Sequence, residues 1–152
     1  MSEKYFGKYT GIVEDNHDEQ NLGQLKVSVP AISDDLLLNV RPALPYGFFF
    51  VPENNAKVWV EFEGGELGLP IWTGVQYVAG EWAAEAEANP PQKRVIKTAS
   101  GHLIILDDQL DTQGIEIRSK NRIVIRCLGT IEIQAPNLIM NGRTVVPLPR
   151  PI

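Results

Sequence analysis

Three closely spaced glutamates are the residues of this chain best suited to acid–base chemistry. Glu61, Glu63 and Glu66 lie close together in the sequence, and a pair of carboxylates flanking a sugar is the arrangement that glycoside hydrolysis uses. In an extended strand Glu61 and Glu63 share one face, opposite the apolar residues that alternate with them, so we expect both to be solvated. Nothing pairs a raised-pKa acid with a second carboxylate across a cleft. We therefore predict that the chain is not an enzyme.

The possible metal ligands and thiols are sparse. His17 lies in a polar loop and His102 at the start of a predicted strand, so their spacing is not that of a metal pair, and no His-x-His motif occurs. Cys127 is the only cysteine, which excludes an intrachain disulfide. We interpret it as a small structural side chain rather than a reactive thiol. The sequence predicts no metal and no cofactor.

Aromatic side chains could bind nucleic acid by stacking on bases. Phe48, Phe49 and Phe50 are consecutive, and Trp59 and Trp72 fall in predicted strands. Residues 1–92 contain 14 acidic and 5 basic side chains, however, whereas residues 93–152 contain 5 acidic and 9 basic. Since nucleic-acid binding depends on clustered Lys and Arg, we predict no nucleic-acid partner and assign the three phenylalanines to a protein interface. The sequence does not decide whether Trp59 and Trp72 belong to the barrel core or to an interface.

Short strands are predicted to position these side chains. Alternating patterns predict strands in GKYTGIVEDN, in GQLKVSVP, from Lys57 to Phe62 and from Pro70 to Tyr77, whereas LLLNVRPALP fits a strand or a helical turn. Several short strands with polar loops and no convincing helix predict an all-β fold, with a small closed five-stranded barrel over residues 1–78. The run rich in Ala and Glu that ends at Pro90-Pro91 predicts a linker over residues 79–98.

The second half of the chain contains a repeat of eight residues, and we call its units octads. IEIRSKNR begins at Ile115, IVIRCLGT at Ile123 and IEIQAPNL at Ile131, and a fourth, irregular unit begins at Ile139. Each of the first three opens with Ile-x-Ile, so that both isoleucines point to one face of a short strand, and turn-forming residues follow. A fixed period of strand and turn is typical of a solenoid.

A repeat this short cannot enclose a hydrophobic core with one chain. We therefore predict an intertwined β-helix of three copies over residues 99–152, in which Arg118, Lys120, Arg122 and Arg126 face outward. An ordinary antiparallel meander over residues 115–141 is the alternative, since regular strand spacing also occurs there. The predicted trimer core consists of the paired isoleucines, Ile115, Ile117, Ile123, Ile125, Ile131 and Ile133.

The sequence also resembles a known family. Within Arg41 to Tyr77 the pattern of Pro52, V-x-V-x-F (58–62), an acidic Gly-Gly-Glu turn (64–66) and P-x-W-x-G (70–74) looks like the OB-fold domain of central spike proteins. These are the spikes of contractile phage tails and of type VI secretion, the VgrG group. TASGHLIILDD before the Ile-x-Ile units resembles the family's entry into its triple-stranded β-helix. Where the family usually carries a glycine, this chain has Asn55. Asparagine is the residue other than glycine that best tolerates a left-handed backbone.

The resemblance implies a structural role. It predicts a homotrimeric central spike of a contractile injection machine, with no lysozyme domain, because the linker is too short to hold one. The barrel would dock on a trimeric hub or tail tube protein through Phe48, Phe49 and Phe50. The β-helix of residues 99–152, which we call the needle, would contact the host outer membrane transiently. The proline-rich end would be the apex or a socket for a separate tip protein, and its residues are Val145, Val146, Pro147, Leu148, Pro149, Pro151 and Ile152.

The chain is expected to be made in the host cytoplasm and to reside in the virion, at the tail baseplate. No apolar run approaches the length of a membrane span, and MSEKYFGKYT lacks the hydrophobic stretch of a signal peptide. The alternative function is an OB-fold binding module with an oligomerising tail, which would hold single-stranded nucleic acid or a saccharide on its barrel face.

Overall fold

The computed structural model describes residues 3–81 and 83–145. The chain divides into two compact units, Met1–Lys93 and Arg94–Ile152. The boundary falls inside the stretch 79–98 that the sequence predicts to be a linker. This stretch contains a 3₁₀ turn at Ala84–Ala86, and its last residues belong to a strand.

The first unit is a closed barrel with the strand order β1-β2-β3-β5-β4. Its strands in chain order are β1 (Tyr9–Asp15), β2 (Leu25–Val29), β3 (Ser33–Pro42), β4 (Lys57–Phe62) and β5 (Pro70–Gln76). β3 and β5 are parallel, and the other four neighbouring pairs are antiparallel. This architecture is consistent with an OB fold. The predicted all-β class and the closed five-stranded barrel are confirmed.

The ambiguous run LLLNVRPALP belongs largely to a strand. β3 pairs with β2 in a register that places Leu38 opposite Val27 and Val40 opposite Leu25. These side chains are buried, whereas Leu37 on the other face is exposed. β4 has the bounds that alternation predicts, and β5 ends one residue before Tyr77.

Ten buried side chains fill the barrel: Val13, Leu25, Val27, Val29, Leu38, Val40, Val58, Val60, Phe62 and Trp72. β4 shows how the pattern produces this core, because Val58 and Val60 point inward while Trp59 lies on the outer face. The structure therefore places the two tryptophans, which the sequence could not assign to core or interface, in different environments. Trp72 belongs to the core, and Trp59 is 38% exposed.

The second unit contains two small sheets. β6 (Lys93–Lys97), β7 (Leu103–Asp107) and β8 (Gly114–Arg118) form a three-stranded sheet in that order, so β8 is an edge strand. β9 (Ile139–Met140) and β10 (Arg143–Thr144) form a hairpin. Its turn residues, Asn141 and Gly142, have φ values of +50° and +73°, as a two-residue hairpin turn of type I′ requires.

Within a single chain the first octad contains a strand, whereas the second and third do not. β8 coincides with the first Ile-x-Ile pair, and no strand occurs in the fully described stretch 119–138. The second and third octads therefore form neither an intrachain meander nor a β-helix in one copy. The physical reason is that a strand needs a neighbouring strand to pair its backbone groups, and these segments have no such neighbour in their own chain.

Candidate assembly surfaces

A run of three exposed phenylalanines lies in the loop between β3 and β4 of the barrel. Phe48, Phe49 and Phe50 are 55%, 61% and 54% exposed. The rings of Phe48 and Phe50 contact each other, with centroids 6.0 Å apart and planes tilted by 33°. Exposed aromatic rings grouped in this way are typical of protein interfaces, where they provide large contact area at low entropic cost. We call these three residues the aromatic patch.

The loop between β1 and β2 supports one side of the aromatic patch. Its fold is organised by Asp18, whose carboxylate accepts the backbone N–H groups of Gln20, Leu22 and Gln24. These hydrogen bonds, that of Gln24 foremost, hold the pKa of Asp18 below its usual value because they stabilise the charged form. A Cβ placed on Gly23 would lie 3.3 Å from the Phe49 ring, so the loop backbone closely approaches the patch.

Further hydrogen bonds join this loop to the loop that carries the phenylalanines. The Asn16 side chain donates to the carbonyl of Pro52 (3.0 Å), and its backbone N–H donates to Oδ1 of Asn54 (2.9 Å). From the barrel interior, Nε1–H of Trp72 donates to the carbonyl of Gly23 (3.0 Å). The loop that carries the aromatic patch is therefore bonded to the β1–β2 loop, which is in turn bonded to the barrel core.

The rim of the aromatic patch is acidic and polar. A shallow open depression runs from Phe49 and Val51 to Asp18 and Glu19. A partner that covers the patch would meet negative charge at this side, which favours a surface with an apolar centre and basic residues around it.

The three glutamates of the sequence analysis are each paired with a cation. Glu61 contacts Lys8, Glu66 contacts Lys4, and an Arg41 nitrogen lies 2.6 Å from Glu63. The hydrogen bond from Lys8 is the largest cause that lowers the pKa of Glu61. A glycosidase acid requires the opposite shift, so this cluster is arranged as surface ion pairs and not as an acid–base pair.

The predicted trimer-core isoleucines are all exposed in a single chain, from 52% to 73%. They are Ile115, Ile117, Ile123, Ile125, Ile131 and Ile133. Exposed apolar side chains in such a series mark an interaction surface. The structure of one chain does not contain that partner, and the trimer core stays a prediction.

The remaining predicted features of the second unit lie on its surface. Arg118, Lys120, Arg122 and Arg126 are exposed in a single chain, and Arg118 forms an ion pair with Glu116 at 2.7 Å. The thiol of Cys127 is exposed as well.

Of the predicted tip, only Val145 lies in the described part of the chain, and its N–H donates to the carbonyl of Leu138 at 2.7 Å. The other tip residues lie outside the described residues: Val146, Pro147, Leu148, Pro149, Pro151 and Ile152.

Two further observations concern metals and membranes. Within residues 3–81 and 83–145, no three or more His, Cys, Asp or Glu side chains are grouped so as to hold a metal ion. In the same part of the chain, no helix has the length and apolar character needed to span a membrane.

Sequence reasoning missed the Asp18 loop and the bond from Trp72 to Gly23. The sequence offered only residue types here: Asp18 is followed by Asn21 and Gly23, which both accept left-handed backbone and have φ of +54° and +82°. Asn55 was identified by its residue type, and its φ of +69° is indeed the left-handed conformation that asparagine tolerates.

The barrel is similar to a known family of domains. Residues 9–77 match the family described as the Type VI secretion system/phage-baseplate injector OB domain. The match runs from the first residue of β1 to just beyond β5, which is just under half of the chain, and it supports a structural role at a phage or secretion baseplate. No curated protein matches the chain.

Proposed function

We propose that this protein is the homotrimeric central spike of a contractile injection machine, of the phage-tail baseplate type. The barrel of residues 1–78 forms a collar that docks on the trimeric hub or tail tube protein. Residues 79–98 link it to a needle of residues 99–152. The protein acts mechanically and carries no catalytic centre.

One observation carries this proposal: a repeat with strand periodicity and exposed isoleucines follows a barrel of the baseplate-injector type. The octads from Ile123 to Leu138 have the alternation of strands but no strand partner in their own chain. Pairing with identical octads of two other copies satisfies the backbone groups and buries the isoleucines at the same time.

The mechanical role follows from the way such a needle is held together. In a β-helix wound from three chains, backbone hydrogen bonds join different copies, and the isoleucine core is continuous along the axis. Bending one strand disturbs its neighbours on the other chains, so an axial push is transmitted along the needle. The outward basic residues of the needle suit a transient contact with the anionic surface of the host envelope.

The aromatic patch is the proposed contact with the hub. Its support by two bonded loops keeps the rings in place before binding, and preorganisation of this kind reduces the entropic cost of association. The C-terminal end forms the apex or receives a separate tip protein. The mature protein belongs to the virion, after synthesis in the host cytoplasm.

Two experiments test the proposal. On an unheated detergent gel the full chain should migrate as a trimer that converts to monomer only after heating, because an interwound needle dissociates slowly. An antibody against the purified chain should label the baseplate end of contractile particles from cells that carry its gene. Migration as a monomer before heating, or labelling elsewhere on the particle, would contradict the spike.

A gel-shift assay with short single-stranded DNA and RNA separates the spike from a nucleic-acid-binding module. We expect no shift, because the first 92 residues have a large excess of acidic side chains and nucleic acid requires the reverse. A clear shift at physiological salt would favour the binding-module alternative.

A further inference from the structure

The depression beside the aromatic patch is lined by two kinds of side chain. Phe49 and Val51 form an apolar wall, and the β1–β2 loop contributes Asp18 and Glu19. The two loops meet closely, because a Cβ on Gly23 would lie 3.3 Å from the Phe49 ring and 3.5 Å from a Val51 methyl. The volume of about 330 Å³ is at the lower end of the range of about 300–1,000 Å³ for ligand pockets. The depression therefore suits one long side chain and not a large ligand.

The two carboxylates of the depression are in different states. The carboxylate of Asp18 already accepts backbone N–H groups of its own loop. Glu19 is exposed, and in the part of the chain that the structure describes no hydrogen bond or ion pair engages its side chain. Glu19 is therefore the negative charge that a partner can reach.

We propose that the depression receives an arginine side chain of the docking partner, with its guanidinium paired to Glu19 and stacked against the ring of Phe49. A guanidinium matches both walls, because it forms paired hydrogen bonds with a carboxylate and stacks on aromatic faces. A lysine ammonium group is more strongly hydrated and acts as a point charge. The inference rests on the proposed docking of the barrel through the aromatic patch, and it names the chemistry of the partner at one point of that surface.

Charge and apolar exposure together identify the occupant as a protein segment. Residues 1–92 contain 14 acidic and 5 basic side chains, so the barrel attracts a cation and repels nucleic acid and anionic lipid. The exposed rings beside the depression need apolar side chains from the same partner. A free metal ion or a polyamine supplies the charge only. A polypeptide that carries an arginine among apolar residues supplies both.

A random peptide library displayed on filamentous phage serves as the probe. After selection on the immobilised full chain, the recovered peptides should be enriched in arginine next to aromatic or aliphatic residues. The affinity of one such peptide is then measured by fluorescence anisotropy. Glu19→Gln should weaken its binding on the order of tenfold, as expected for the loss of one hydrogen bond between charged groups. Because Glu19 is exposed, the urea midpoint of this variant should equal that of wild type.

Asp34→Asn is the matched control, since it removes the same charge elsewhere on the barrel. Asp34 is exposed and follows Ser33, which pairs with Val29 at the end of β2, whereas the β1–β2 loop precedes Leu25 at the start of β2. Its effect on the peptide should stay below about twofold, because salt screens distant exposed charges.

A change in the peptide assigns the pairing to Glu19. Citrulline in place of the arginine keeps the shape and removes the charge, so it should weaken binding to wild type on the order of tenfold and to Glu19→Gln only slightly. Phe49→Leu retains an apolar side chain but removes the ring. It should weaken binding of the arginine peptide more than binding of its citrulline form.

Each outcome decides the question. Recovery of no binding peptide, selection without arginine enrichment, or equal affinities of Glu19→Gln and Asp34→Asn would overturn the arginine site, and a trimeric chain would leave the spike standing. A monomeric chain that selects arginine peptides through Glu19 would contradict the spike and support the site.

Discussion

Substitution of Trp72 gives the sharpest test of how the barrel core and the β1–β2 loop are held together. Its side chain is 2% exposed, and its N–H donates to the carbonyl of Gly23 at 3.0 Å. Trp72→Phe keeps an aromatic ring in the core but removes this donor and part of the ring volume. The variant therefore loses the hydrogen bond that joins the β1–β2 loop to the core. Phe49 packs close to this loop at Gly23.

The size of the effect follows from these two losses. Depriving the buried carbonyl of its donor costs about 1–3 kcal/mol, and the void left by the smaller ring costs about 1 kcal/mol more. The free energy of unfolding of the barrel should therefore fall by about 2–4 kcal/mol. Trp59→Phe is the matched control, because Trp59 lies partly exposed on the neighbouring strand β4. Its cost should stay below about 1 kcal/mol.

The assay is urea unfolding followed by far-ultraviolet circular dichroism at one fixed protein concentration. The Trp72→Phe midpoint should fall clearly below the wild-type and Trp59→Phe midpoints, with similar slopes. Equal midpoints for the two variants, or a Trp72→Phe chain as stable as wild type, would refute the reasoning that this bond and this packing hold the loop to the barrel.

Three further predictions address the rest of the molecule. A Cβ on Gly11 would lie 2.4 Å from a valine methyl of β2, so Gly11→Ala should destabilise the barrel to urea by about 1–3 kcal/mol, whereas Gly74→Ala, where space is open, should change little. The lowered pKa of Asp18 stabilises the fold above the ordinary aspartate pKa of about 3.9, and this contribution is lost as pH falls through the folded value. Wild type should thus lose more thermal stability on acidification than Asp18→Asn, and an equal loss would argue against the carboxylate. Ile125→Asp should abolish the trimer on a sizing column, since three charges would meet at one axis, while Arg126→Asp should not, and a trimer of Ile125→Asp would contradict the core.

Much of the barrel could be predicted because its strands bury one face and expose the other. The alternation of Val58 and Val60 with Trp59 and Glu61 determines the inner face of β4 without reference to any other strand. β3 was harder to assign, because its leucine run has no clear period by itself. Its inward and outward positions become distinct only through pairing with β2, which is tertiary information.

The candidate assembly surfaces also differ in how far the sequence predicts them. Three consecutive phenylalanines cannot all point into one core, so exposure of the aromatic patch follows from the sequence. The loop around Asp18 does not, because it depends on left-handed backbone at Asn21 and Gly23 that many residue patterns share. The octads represent a third case. Their strand pattern is visible in the sequence, but residues 119–138 pair with no strand of their own chain.

The mass of the full chain in solution tests the central claim most directly. Light scattering on a sizing column should give three times the chain mass of 16.9 kDa over a range of loading concentrations, as expected for three interwound copies. A mass equal to one chain would contradict the needle and the spike together, and would leave a monomeric barrel module as the better description.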